Sequence, residues 1–215
     1  MLPVIRSLLR ASPKADKRRE VSHLIAGLGN PGPKYRAHRH NVGYMVVESF
    51  SESCESGRFQ KKFKGQIRKT RMADHEVILL KPLTFMNLSG DSVQQALHFF
   101  NVPLSRLIVV HDELDLDFGV TRIKVGGGTA GHNGLKSIVE RCGGKDFLRL
   151  RIGIGRPPRS SAEQYVLSDF DEEERKMLPD VLSNAAAALS LIVTESVEAA
   201  MNKCNSRGRQ GRASS

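Results

Sequence analysis

Cysteine is scarce in this chain of 215 residues: Cys54, Cys142 and Cys204 are odd in number, widely spaced and form no C-x-x-C pair. A disulfide framework is therefore excluded, and free thiols in a reducing compartment are expected. Long apolar runs are missing as well. The longest, Ala185 to Val193, is far short of the roughly 20 residues that a spanning helix needs, so no membrane partner is expected. No G-K-[ST] occurs, which removes a P-loop, and no G-x-S-x-G, which removes a nucleophile elbow. The acidic run "HDELDLD" lacks the D-x-[DN]-x-[DN]-G register of a calcium loop. Internal repeats are absent too.

What is present is the composition of a globular domain, 40% hydrophobic and 26% charged. The formal net charge is +10, but it is unevenly held. Residues 1–20 carry six Lys/Arg against Asp16 and Glu20, and residues 201–215 carry Lys203, Arg207, Arg209 and Arg212 with no acid. Each end thus contributes +4 and the remaining 180 residues only +2. Two internal clusters could form a phosphate-binding face: seven basic residues from Arg58 to Arg71, and eight from Arg122 to Arg156 against Glu140 and Asp146.

Residues 1–21 are expected to be a flexible basic extension, 22–204 a single domain and 205–215 a disordered basic tail. The extension places Arg6, Arg10, Lys14 and Lys17 at helical spacing opposite Ile5, Leu8 and Leu9. That makes a mitochondrial presequence the alternative to a cytoplasmic setting. Between the tails, β-type runs (23–28, 76–81, 106–111, 120–125, 148–155) alternate with helical stretches (41–51, 88–101, 133–143, 180–203). "KGQIRKT" (64–70) reads as a polar edge strand. This alternation predicts a three-layer α/β domain with a mixed, mostly parallel central sheet flanked by helices. Ligands in such sheets gather at loops beyond the carboxyl ends of the strands.

Two glycine clusters there, Gly27/Gly29/Gly32 and Gly126/Gly128/Gly131, match G-x-G-x-x-G. A dinucleotide fingerprint requires the last glycine to open an apolar helix. In the first cluster Pro31 and Pro33 remove two backbone N–H groups, and "KYRAHRHN" has no apolar face. In the second, His132 and Asn133 stand where apolar residues belong. No nucleotide or other organic cofactor is expected. The loops instead carry polar side chains rich in asparagine and histidine, with no nucleophile among them, so covalent acyl-enzyme chemistry is disfavoured. His38-x-His40 with the acidic run suggests metal ligands, but the chain is short for the barrel hydrolases that use H-x-H. General-base hydrolysis remains: a neutral His takes a proton from water, a carboxylate holds its other nitrogen, and amides stabilise the oxyanion.

The segments "GLGNPGPKYRAHRHNVG", "KPLTFMNLSGDSV", "VVHDELDLDFGVTRIKVGGGTAGHNGLKSI" and "FLRLRIGIGRP" resemble the bacterial-type peptidyl-tRNA hydrolase family, colinearly from about residue 23 to 203. The resemblance implies cleavage of the ester between a peptide and the 3′ ribose of tRNA, by a monomeric α/β domain without metal or organic cofactor. It also implies roles. His40 is the base, Asp112 orients it, and Asn30 sits near the scissile ester. Asn87 and Asn133 grip the peptide and the terminal adenosine, and Tyr35 and Met86 form the pocket wall. His132 lines the cleft, and Lys124 and Arg151 meet tRNA phosphates. Asn30 and Asn133 also suit tight turns, and His132 is equally suited to capping the following helix. His38 departs from the family, which has a small hydroxylated residue there. The alternative is a non-catalytic RNA-binding relative acting as an organellar splicing cofactor; retention of Asn30, His40, Asn87, Asp112 and Asn133 together separates the two.

Overall fold

The computed structural model describes residues 21–54, 57–157 and 161–206. Residues 1–20 and 207–215, where the basic extension, the presequence alternative and most of the basic tail fall, lie outside the described residues. The described strands are β1 (His23–Gly27), β2 (Gln60–Lys62), β3 (Gly65–Met72), β4 (His75–Pro82), β5 (Leu107–Glu113), β6 (Thr121–Val125) and β7 (Leu148–Gly153). The helices are α1 (Val42–Glu52), α2 (Ser89–Phe100), α3 (Asn133–Cys142), α4 (Ala162–Val166), α5 (Glu172–Thr194) and α6 (Val197–Ser206).

All strands join one sheet in the order β2-β3-β4-β1-β5-β7-β6. The central four, β4-β1-β5-β7, are parallel, and β2, β3 and β6 add on by antiparallel pairing. The centre is parallel because its strands are apolar on both faces, as a sheet covered by helices on both sides demands. In β1, Ile25 joins Val46, Phe50, Val110 and Leu189 on the α1–α5 side. Its neighbours Leu24 and Ala26 join Val93, Leu97, Leu135 and Ile138 on the α2–α3 side.

Residues 64–70 do form a strand, but not the edge. β2 occupies that position, and Arg68 and Thr70 of β3 are buried. The terminal helix begins eight residues before Asp180, because Asp171 and Glu174 close a capping box there. It carries Pro179 within it and breaks at Glu195 before α6. Asn205, expected in the tail, belongs to α6 and brackets Ile123 with hydrogen bonds to its N–H and carbonyl. By length and hydropathy α5 is apolar enough to cross a membrane, but its stripe of Val181, Ala185, Leu189, Ile192 and Val193 is consumed by the core.

The parallel strands bring the loops after β1, β4 and β5 to one rim. Gly27 and Gly43 explain how closely α1 approaches it. A Cβ on Gly43 would lie 2.4 Å from the Val110 carbonyl, and one on Gly27 would lie 2.3 Å from the Gly43 carbonyl. The first glycine cluster therefore serves close helix–strand packing, which sets the start of α1 and the residues just before it against the strand ends.

Candidate active site

A cleft of about 860 Å³ opens at this rim, lined among others by Asn30, Tyr35, His40, Asn87, Asp112 and Asn133. A larger hollow of about 1270 Å³ lies on the α1–α5 side. It contains the Lys81–Glu48 ion pair but no histidine, so the base chemistry belongs to the smaller cleft.

His40 sits in a 3-10 turn, Arg39–Asn41, that leads directly into α1. Its Nδ1 is 2.8 Å from Oδ1 of Asp112, at the end of β5. An ionised carboxylate only accepts hydrogen bonds, so Nδ1 carries the hydrogen and Nε2 keeps its lone pair. Arg39 fastens this turn from behind. Its guanidinium bonds Ser168 Oγ (2.7 Å), the Asp169 carbonyl and Glu174, and stacks on Tyr165. The charge of Arg39 is thereby spent on the start of α5 and not on the cleft. His38 lies 3.9 Å from Asp169 and edge-on to Tyr35, and no contact joins it to His40.

The asparagine pair 30 and 41 is a backbone relay. Asn41 Oδ1 accepts the Asn30 N–H, and Asn41 Nδ2 donates to the Asn30 carbonyl, both at 2.9 Å. Asn30 Oδ1 then accepts the Met86 N–H at 2.8 Å. That fixes the Asn30 amide with its Nδ2 hydrogens free to donate. Asn41 stands among the polar residues of this loop in the sequence, but nothing there signals its grip on the Asn30 backbone.

His132 lines the cleft and caps α3, as expected, and it also bonds Asp112, which was not expected. As N-cap of α3, its Nδ1 accepts from the N–H groups of Gly134 (3.1 Å) and Leu135 (3.3 Å). Its Nε2 lies 3.0 Å from Asp112 Oδ1, the same oxygen that His40 holds. The ligand atoms of His40, Asp112 and His132 all fall within 4.8 Å of one another, the spacing of a metal site. The chemistry is against it. With Nδ1 already accepting two backbone hydrogens, Nε2 must carry the ring's hydrogen, and a metal there would require imidazolate or loss of the cap.

Burial alone would raise the Asp112 carboxyl. The facing imidazoles, His40 before His132, outweigh it by charge and hydrogen bonding and hold it well below the usual carboxylate range. Beneath them His111 is fully enclosed. Burial first, then its neighbour His132, pushes the ring down to about 3. It donates through Nδ1 to the Asp112 carbonyl at 2.6 Å, and its Nε2 is buried without a partner.

Around these groups stand Tyr35, Asn87 and Asn133, whose side chains make no hydrogen bond among the described residues. Met86 lines the cleft but is mostly core, buried to 5%. Composition and motif did not single out Phe85, 55% exposed at the cleft, or the wall formed by α4 and Leu167. Lys124 and Arg151 do not line the cleft. Strand alternation sets Arg122 and Lys124 of β6 on one face with Arg149 and Arg151 of β7. Arg149 is spent on the carbonyls of Gly127 and Gly128, which shapes the second glycine loop. Arg151 pairs with Glu113 at 2.9 Å, and Lys124 is exposed, with no ion pair among the described residues.

An α/β domain with a buried histidine–carboxylate pair at its strand ends, faced by amides uncommitted among the described residues, has the layout of a hydrolase. The sequence comparisons narrow that class. The peptidyl-tRNA hydrolase family model matches residues 24–212, and the chain belongs to that family. It is 50% identical over 192 residues to a peptidyl-tRNA hydrolase of Sorangium cellulosum, covering 88% of this chain and 86% of that one. With that of Frankia casuarinae it shares 48% over 181 residues, 84% and 92% of the two chains. The crystal structure of peptidyl-tRNA hydrolase from Acinetobacter baumannii superposes with a TM-score of 0.79 at 38% identity, covering 86% of this chain and 96% of that one.

Proposed function

We propose that this protein hydrolyses the ester joining peptide to tRNA, with His40 as general base, and so returns free tRNA from prematurely released peptidyl-tRNA. One observation carries the reading: His40 Nδ1 is committed to a buried carboxylate, leaving Nε2 as the basic nitrogen in a cleft rimmed by free amides. Nε2 takes a proton from water as the oxygen attacks the ester carbonyl, and Asp112 stabilises the imidazolium that results. Collapse of the tetrahedral intermediate then breaks the bond to the ribose oxygen, which takes the proton back from Nε2. The free Nδ2 of Asn30 donates to the developing oxyanion. Asn87 and Asn133 hold peptide backbone and terminal nucleotide. Lys124, with Arg151 behind it, meets phosphates, which position RNA without reading its sequence. An ester leaving group needs less protonation than an amide, so a single base suffices. The role needs no metal, because both imidazoles bonded to Asp112 use hydrogens in place of a cation.

The splicing-cofactor alternative has no use for an intact His40–Asp112 pair. A cytoplasmic setting fits the unbridged thiols of Cys54 and Cys142. Fusing residues 1–20 to a reporter and finding it in mitochondria would move that setting. The activity itself is tested by release of N-acetylated amino acid from blocked aminoacyl-tRNA, with unblocked aminoacyl-tRNA as control. Cleavage of the blocked substrate only, in the presence of chelator and lost in His40→Ala with tRNA binding retained, is the expected outcome. A His40→Ala protein that turns over normally removes the base.

A further inference from the structure

We infer that His132 is a positioning residue: it holds Asp112 in place for His40 and does not itself contact the substrate. The inference rests on the general-base reading above and gives His132, within the cleft lining, the support of the carboxylate as its role. Three observations carry it. Both ring nitrogens are already committed within the protein, Nδ1 to backbone N–H groups and Nε2 to Asp112, which leaves no polar atom of the ring for the substrate. Its tautomer is fixed from one side by the Gly134 and Leu135 N–H groups, so its other nitrogen has one use, donation to Asp112. Finally, that donation falls on the oxygen that receives the His40 hydrogen, so one carboxylate oxygen is gripped by two imidazoles.

The consequence lies in the proton inventory. When His40 becomes an imidazolium, Asp112 must stay ionised and in place. His132 can accept no proton without losing its cap, because Nε2 is already protonated and Nδ1 is filled by backbone hydrogens. It is therefore an inert second donor that keeps the carboxylate from turning away. It also ties that carboxylate to the first residue of α3, Asn133, so the base assembly and one gripping amide share a single anchor.

The test separates capping from orientation. In His132→Ser the hydroxyl keeps an N-cap of a preferred type but offers no second nitrogen to Asp112. Expected are a melting temperature above that of His132→Ala, a KM for blocked aminoacyl-tRNA within about twofold, and a kcat lower by about tenfold, equivalent to about 1.4 kcal/mol. His132→Ala should lose both kcat and melting temperature. Ring nitrogen NMR of the free wild-type protein should show His132 protonated at Nε2 and bare at Nδ1. Wild-type kcat in His132→Ser overturns the proposal. So does a raised KM at constant kcat, which marks a contact residue, or a ring protonated at Nδ1. The tautomer is read without substrate and stands even if the serine variant fails to fold. An inactive wild type would overturn the hydrolase reading instead.

Discussion

On one side of the cleft His40, Asp112, His132, Asn30 and Asn41 bond to one another or to backbone at 2.8–3.3 Å. On the other, Asn87, Asn133 and Tyr35 carry the same kinds of polar groups and bond to nothing among the described residues. The first set is mostly buried and the asparagines of the second are exposed. Chemistry needs groups whose positions are settled before substrate arrives, because reorganisation during the reaction costs rate. Recognition needs groups whose hydrogen bonds are still to be made.

Substitutions on the two sides should therefore fail differently. Asp112→Asn lies on the bonded side and should lower kcat by about 10²–10⁴-fold, the range of a general-base contribution, with KM little changed. Single-turnover rates on blocked aminoacyl-tRNA measure it, and a loss below tenfold would mean that Asp112 does not orient the base.

The bonded side should also be the acid-labile one. His111 titrates near 3 in the folded protein and near 6.5 unfolded, so below pH 6.5 the unfolded chain takes a proton that the folded one refuses. Stability then falls from pH 6.5 toward pH 3, by about 2 kcal/mol at pH 5 from this residue alone. Asp112 is shifted down as well, so it adds its own loss as the pH falls through the usual carboxylate range and below it. Urea midpoints against pH should slope less in His111→Asn, which can still donate to the Asp112 carbonyl. Parallel slopes would clear His111.

Asn133→Ala, on the open side, should raise KM about tenfold with kcat and melting temperature nearly intact, the value of one hydrogen bond made only in the complex. A drop in melting temperature would show that the amide is structural. The smallest effect belongs to Lys124→Ala. It should weaken tRNA binding slightly and reduce the slope of log affinity against log salt by about 0.7–0.9, one phosphate contact. An unchanged slope returns Lys124 to solvent.

Much of this was legible because it is local. Apolar runs located β1, β4, β5 and β7, and period-3.6 patterns located α1, α2 and α3 to within a residue or two. The family motifs brought His40, Asp112, Asn30, Asn87 and Asn133 to one rim. What was hidden is non-local or lacks burial. Gln60–Lys62 forms a strand although all three residues are exposed, so no alternation marks it. That omission put β3 at the edge. The apolar periodicity marked the last helix only from Asp180, yet the capping box at Asp171 and Glu174 begins α5 upstream of it. The bond from His132 to Asp112 spans 20 residues and depends on a tautomer chosen by the turn of α3. Arg149 looked like phosphate-binding charge until its guanidinium was seen holding two glycine carbonyls.

The Asn41–Asn30–Met86 relay reaches beyond the site itself. Because the Asn41 amide is fitted to the Asn30 backbone and the Asn30 amide to the Met86 backbone, the two ends of the β1–α1 connection and the segment after β4 cannot change length independently. An inserted residue in any of them would leave two partners out of step. The turn at Ala73 and Asp74, carrying no such tie, is where this architecture can absorb insertions. Variation in loop length should thus be confined to the end of the sheet away from the cleft.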